Sequence, residues 1–154
     1  MTRVTLIDTS VLCELLQVPD KCQRHDTVHA EFVRRADSGE RFVIPITAVI
    51  ETGNHIAQAR TGRRPAAMRL ERFLSLARSN TMPFVLNTTS WDDAFLAALC
   101  EGDSTGQSFV DLVGSGQMGA GDIAILVERD QFQDRSALRD IGVWTLEKVL
   151  GAYS

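Results

Sequence analysis

Cysteine is scarce. Cys13, Cys22 and Cys100 are odd in number, far apart, and outside any C-x-x-C or Cys/His ligand spacing. That argues against a disulfide scaffold and a structural zinc site, and predicts reduced thiols packed as small hydrophobes in a cytoplasmic protein. Long apolar runs are missing as well: nothing approaches the run of about 18 apolar residues that would span a bilayer. Asp8 interrupts the apolar N-terminus, which argues against a secretory leader. Lysine is nearly absent, since all but two of the sixteen cations are arginine. The formal charge of −4 and pI near 5.3 exclude a wholly basic nucleic-acid coat, but not a basic groove on an acidic body. No internal repeat, low-complexity tract or linker divides the chain, so one domain over residues 1–154 is expected.

What is present is ordinary globular material: 154 residues, 44% hydrophobic and 23% charged. A chain of this length buries roughly 70% of its unfolded surface and needs no staple. Short apolar runs predict strands at Val4–Ile7, Phe42–Ile46, Pro83–Leu86 and Ile141–Thr145. Helical spacing lies between them. Val11 to Leu16 follows the N-cap formers Asp8-Thr9-Ser10, and Asp26 to Ala36 ends at Ser38-Gly39. Thr47 is expected to cap a helix through Ile56, and Pro65 sits in the first turn of another reaching Arg78. Ser90, Asp92 and Asp93 open a helix through Leu99. Phe109–Val113 is a short apolar stretch before the glycine-rich run 114–121, and Asp122 opens a helix to about Phe132. Strands apolar on both faces, alternating with helices, predict an α/β/α sandwich with a short, mostly parallel central sheet.

Ligands in open parallel sheets bind beyond the carboxyl ends of the strands. Asp8 follows the first strand, Glu51 lies about one helical turn beyond the second, and Glu147 follows the last. Asp122 sits at a helix start behind glycines. These acids converge on one end of the sheet from separate elements. Converging carboxylates repel, and a divalent cation relieves the repulsion. Oxygen-only ligation suits Mg²⁺ or Mn²⁺ rather than zinc. A site of that kind, left partly open, activates water for phosphoryl hydrolysis.

The same residues resemble the PIN-domain ribonucleases, a family that includes VapC-type toxins. The similarity runs through Val-Thr-Leu-Ile-Asp8-Thr-Ser-Val-Leu, Ile-Thr-Ala-Val-Ile-Glu51-Thr-Gly-Asn, Gly-Ala-Gly-Asp122-Ile-Ala-Ile-Leu-Val-Glu and Val-Trp-Thr-Leu-Glu147-Lys-Val-Leu. It covers nearly the whole chain, in order. It implies a PIN-like fold and a Mg²⁺- or Mn²⁺-dependent ribonuclease in which Asp8, Glu51 and Asp122 are the catalytic acids that hold the metal, with Glu147 binding directly or through water. It also implies an inhibitory antitoxin partner if the protein is the toxin of a pair. Two departures stand out: Glu147 occupies a position where the family often has Asp, and the chain ends soon after it, short of a final edge strand many members carry. An inactive PIN-like module that binds RNA or protein, and a metal-dependent DNA nuclease, are the alternatives.

Each acid also has a purely structural role open to it: Asp8 as an N-cap, Asp122 as a helix-start carboxylate favoured by the dipole, Glu147 as a surface residue. Asp111 competes with Asp122 as third ligand, although its flanks Phe109, Val110, Leu112 and Val113 read as core. Thr9, Ser10 and Thr145 are placed to hydrogen-bond the carboxylates, and Asn54, a turn after Glu51, to touch phosphate. Between positions 60 and 78 six arginines, Arg60, Arg63, Arg64, Arg69, Arg72 and Arg78, face one acid, Glu71. This segment is the expected RNA track, or else a solvated helix face. Met68, Leu70 and Phe73 could serve a homodimer or the core.

Three motifs are decoys. Gly114-Ser-Gly116-Gln-Met-Gly119 matches a dinucleotide fingerprint in letters but lies late in the chain, ahead of Asp122. His25-Asp-Thr-Val-His29 has zinc-protease spacing with Asp in place of Glu and no third ligand. Ser115 lacks a nucleophile-elbow pattern.

Overall fold

The computed structural model describes residues 2–138 and 140–154. The strands are β1 (Val4–Ile7), β2 (Arg41–Val43) and β3 (Ile141–Trp144). The helices are α1 (Thr9–Leu15), α2 (His25–Asp37), α3 (Ile46–Gln58), α4 (Arg63–Arg78), α5 (Asp93–Glu101), α6 (Phe109–Gly114), α7 (Ala120–Arg135) and α8 (Lys148–Gly151). The sheet has order β2-β1-β3 and is parallel throughout, with Leu6 in register with Val43 and Val143. No helix among the described residues is long and apolar enough to cross a membrane.

Two cores cover the two faces of the sheet, which makes the molecule an α/β sandwich. Ile7, Phe42 and Trp144 pack with Val11, Leu12, Leu16, Ile56 and Leu70 from α1, α3, α4 and their ends. Alternate strand residues Leu6, Val43 and Val143 pack instead with Phe95, Leu112, Ile125 and Leu126 from α5, α6 and α7. Both faces are buried, which is why the strands read as continuous apolar runs rather than alternating ones. The short sheet brings the C-terminal ends of β1 and β3 side by side, the Asp8 N–H donating to Trp144 O at 3.0 Å.

Several boundaries differ from expectation. β2 ends at Val43 because Pro45 has no N–H for a ladder and instead caps α3, which starts at Ile46. Thr47 is therefore not a cap; it is buried in the first turn, its hydroxyl without a partner. Pro83–Leu86 is not a strand. It touches β2 through a single bridge, Phe42 with Phe84, since Pro83 has no N–H and Asn80 Oδ1 takes the Leu86 N–H at 2.8 Å. Phe109–Val113 forms helix α6, capped by Ser108, whose hydroxyl accepts from the Asp111 N–H at 3.2 Å. The glycine run thus has no strand before it, and the dinucleotide fingerprint lacks its context. Helix α7 begins at Ala120, with Asp122 in its first turn, and continues to Arg135.

Candidate active site

Asp8 leaves β1 where the buried strand ends and becomes the N-cap of α1, accepting from the Ser10 N–H at 3.4 Å. It is 2% exposed. Its Oδ2 also accepts from Ser10 Oγ and Thr145 Oγ1, each at 2.8 Å. Those hydroxyls are themselves fixed from the segment after β3: the Leu146 N–H donates to Ser10 Oγ at 2.9 Å and the Glu147 N–H to Thr145 Oγ1 at 3.0 Å. The supporting roles expected of Ser10 and Thr145 are thus both directed at Asp8. Its other oxygen, Oδ1, is buried with no hydrogen-bond partner, a costly arrangement for an ionised group.

Glu51 projects from the second turn of α3 and accepts from Thr9 Oγ1 at 2.7 Å. It lies against the start of α7 so closely that a Cβ on Gly121 would collide with Glu51 Oε1 and stand 3.0 Å from its Cδ. Asp122 follows at once, and Glu147 caps α8 with an exposed side chain. Asp8, Thr9, Ser10, Glu51, Asp122 and Glu147 line one cleft of about 350 Å³. Burial, then the charges of Asp8 and Glu51 and, more weakly, Glu147, push the Asp122 carboxyl up to about 6. As the side chains stand, no three His, Cys, Asp or Glu groups among the described residues are arranged to hold a metal ion.

The raised Asp122 group sets a pH dependence. Its folded pKa lies above its ordinary 3.8, so the folded state binds a proton that the unfolded chain has released. The resulting stability is complete below pH 3.8 and is lost as pH rises through about 6. Urea unfolding in chelator should show wild type losing stability, relative to Asp122→Asn, as pH is raised from 4 to about 7. Parallel pH profiles for the two proteins would mean that neither burial nor the neighbouring acids raise the Asp122 carboxyl.

Other expected residues stand elsewhere. Asp111 is exposed on α6 and does not line the cleft; of its flanks, Val110 is 75% exposed and Leu112 alone is buried. Asn54 points to solvent, and His55, the next residue, lines the cleft instead. Arg60, Arg63, Arg64 and Arg72 are exposed and outside the cleft lining. Arg69 is committed to the fold, its Nε donating to Leu16 O at 2.6 Å and its Nη2 to Gln17 O at 3.1 Å. Leu70 and Phe73 pack into the core, leaving Met68 60% exposed. His25 turns toward α1, its Nδ1 at 2.7 Å from Glu14 O, so the His25/His29 pair is no open metal site. Ser115 Oγ is engaged with Leu112 O at 3.2 Å. The three cysteines are free, and burial pushes the Cys13 thiol up to about 11, which makes it inert.

The cleft also holds residues that no motif pointed to: Glu14, Asp20, Lys21, Gln23, Arg24 and His55. Two of these had a signal in the sequence. Glu14 is an acid among the apolar residues of α1, and His55 stands four residues after Glu51, on the same helical face. Lys21 and Arg24 lie in the α1–α2 connection, where spacing carries no information. No family model, curated protein or solved structure matches the chain.

Proposed function

We propose that the protein is a divalent-metal-dependent endoribonuclease of the PIN-domain kind that hydrolyses phosphodiester bonds of RNA in the cytoplasm. The observation that carries this reading is the cleft itself: carboxylates from four separate elements line it, and a buried oxygen of Asp8 has no partner there. An unpaired anionic oxygen beside Asp122, whose carboxyl is itself pushed up to about 6, is a donor set suited to Mg²⁺ or Mn²⁺. Asp8, Glu51 and Asp122 would hold the ion, with Glu147 contributing directly or through water. Once bound, such an ion supplies Lewis acidity to a phosphoryl oxygen and lowers the pKa of water.

The chain's own residues do the rest. Ser10 and Thr145 fix the Asp8 carboxylate from one side, so its free oxygen keeps one orientation. Thr9 does the same for Glu51. Ser10→Ala or Thr145→Ala should therefore weaken Mn²⁺ binding by about 10- to 100-fold, measured by titration calorimetry. Unchanged affinity in both would remove these hydroxyls from the site.

The direct test is cleavage of labelled single-stranded RNA in Mn²⁺, repeated with excess EDTA and with DNA as competitor. Cutting that EDTA stops and DNA does not suppress is the expected result. Suppression by DNA would favour a DNA nuclease. RNA affinity that persists in EDTA without any cutting would favour a binding module. As the toxin of a toxin–antitoxin pair the enzyme would be held by an inhibitory protein, and exposed Ile46, Ile50, Leu86 and Trp91 offer apolar surface to such a partner or to a second copy of the chain.

A further inference from the structure

A cleft floored by acids repels the substrate that the proposed function assigns to it, since every phosphodiester carries a negative charge. Cations must therefore stand close to the acids, and the arginine-rich segment does not supply them: its exposed members lie outside the lining, and Arg69 is spent on main-chain carbonyls.

The α1–α2 connection does supply them. It is built to hold one shape. The Val18 N–H donates to Cys13 O at 2.9 Å and the Lys21 N–H to Val18 O at 3.0 Å. Gln17 and Asp20 take left-handed backbone angles of φ 51° and 66°, and Arg69 clamps the turn from α4. The far end is fixed by Glu14, 4% exposed, whose Oε2 accepts the Arg24 N–H at 3.0 Å. This rigid loop presents two cations to the cleft. Lys21 and His55 line the same cleft, and burial, then the Lys21 charge, hold the His55 imidazole below its ordinary pKa. The Arg24 side chain is 63% exposed, with Nε 3.8 Å from Glu14 Oε1, which leaves the guanidinium's other N–H donors to reach outward.

We propose that Lys21 and Arg24 form the phosphate-binding rim of this cleft, holding the backbone of a single-stranded RNA so that one phosphodiester lies over the acids. The proposal rests on the ribonuclease reading but does not need cleavage to be tested. Asp20 also lines the cleft, so the rim is not uniformly basic.

The experiment is binding of an end-labelled, cleavage-resistant phosphorothioate-linked single-stranded RNA by fluorescence anisotropy, in Mn²⁺ and in EDTA, across a salt series, beside cleavage of the ordinary RNA in Mn²⁺. Lys21→Gln and Arg24→Gln should each weaken binding in Mn²⁺ by about tenfold and flatten the log–log salt slope by about 0.7. Arg34→Gln, on the outer face of α2, controls for loss of a positive charge, and melting curves confirm that each variant is folded. Wild-type affinity and slope in both rim variants would overturn the proposal, as would loss of binding in Arg60→Gln or Arg63→Gln alone. The outcomes separate the two readings. Cutting with normal binding by the rim variants sinks the rim and leaves the nuclease. Rim-dependent binding without cutting sinks the nuclease and leaves the rim. Wild-type protein that neither binds nor cuts RNA sinks both.

Discussion

Asp8→Asn should abolish Mn²⁺-dependent RNA cleavage while leaving the metal-free protein as stable as wild type or more so. The two effects have opposite signs because the residue does two jobs. As the N-cap of α1 it needs an acceptor for the Ser10 N–H, and Asn caps as well as Asp does. The amide oxygen can take the Oδ2 position between Ser10 and Thr145, and the NH₂ then occupies the buried Oδ1 position, where the carboxylate oxygen has no donor. The substitution removes a charge that repels Asp122, so urea unfolding in EDTA should show a gain of about 0.5–2 kcal/mol. Metal binding loses a charged oxygen that nothing else in the cleft duplicates. Mn²⁺ affinity should fall by about 100-fold or more, with cleavage lost alongside it. Equal cutting by both proteins would put the chemistry elsewhere. A drop in stability would mean that the fold needs the Asp8 carboxyl group and not merely a capping oxygen.

The parts legible in the sequence are those set by local chemistry. β1 and β3 are continuous apolar runs, and both faces of the sheet are indeed covered. Asp8 and Glu147 follow the ends of the adjacent strands β1 and β3, Glu51 lies in the second turn of the helix after β2 and Asp122 in the first turn of α7, and all four line one cleft. What failed depended on partners that spacing does not encode. The run Pro83–Leu86 has strand composition, but a ladder needs donors that proline lacks, and only one bridge forms. Phe109–Val113 is too short for its period to separate helix from strand, and the Ser108 cap decided it. On α3, positions three and four residues beyond Glu51 share its face equally well in principle. The rotation of the packed helix turned Asn54 outward and His55 inward. Charge alone marks the basic segment, and charge says nothing of Arg69 bonding to main-chain oxygens 52 and 53 residues away.

Gly121→Ala should separate fold from activity through a residue with no functional group. In the first turn of α7 alanine is the better helix former, by at most the roughly 0.5–1 kcal/mol that separates it from glycine in a helix interior. Yet the added methyl would overlap Glu51 Oε1. That atom is the end of a flexible side chain, so the helix can stay and Glu51 must leave, breaking its 2.7 Å bond from Thr9 Oγ1. The melting temperature should hold within a few degrees, about what a 1 kcal/mol change moves in a domain of this size. Cleavage in Mn²⁺ should fall by about 100-fold, the scale of a misplacement of about 1 Å at a reacting centre. Shortening the acid gives the decisive control. In the double variant Glu51→Asp with Gly121→Ala, one methylene is withdrawn from the collision, and activity should exceed that of Gly121→Ala alone, a coupling additive effects cannot produce. Full activity in Gly121→Ala would show that Glu51 works from some other position. Loss of folding would show that α7 and α3 are packed too tightly for the carboxylate to give way.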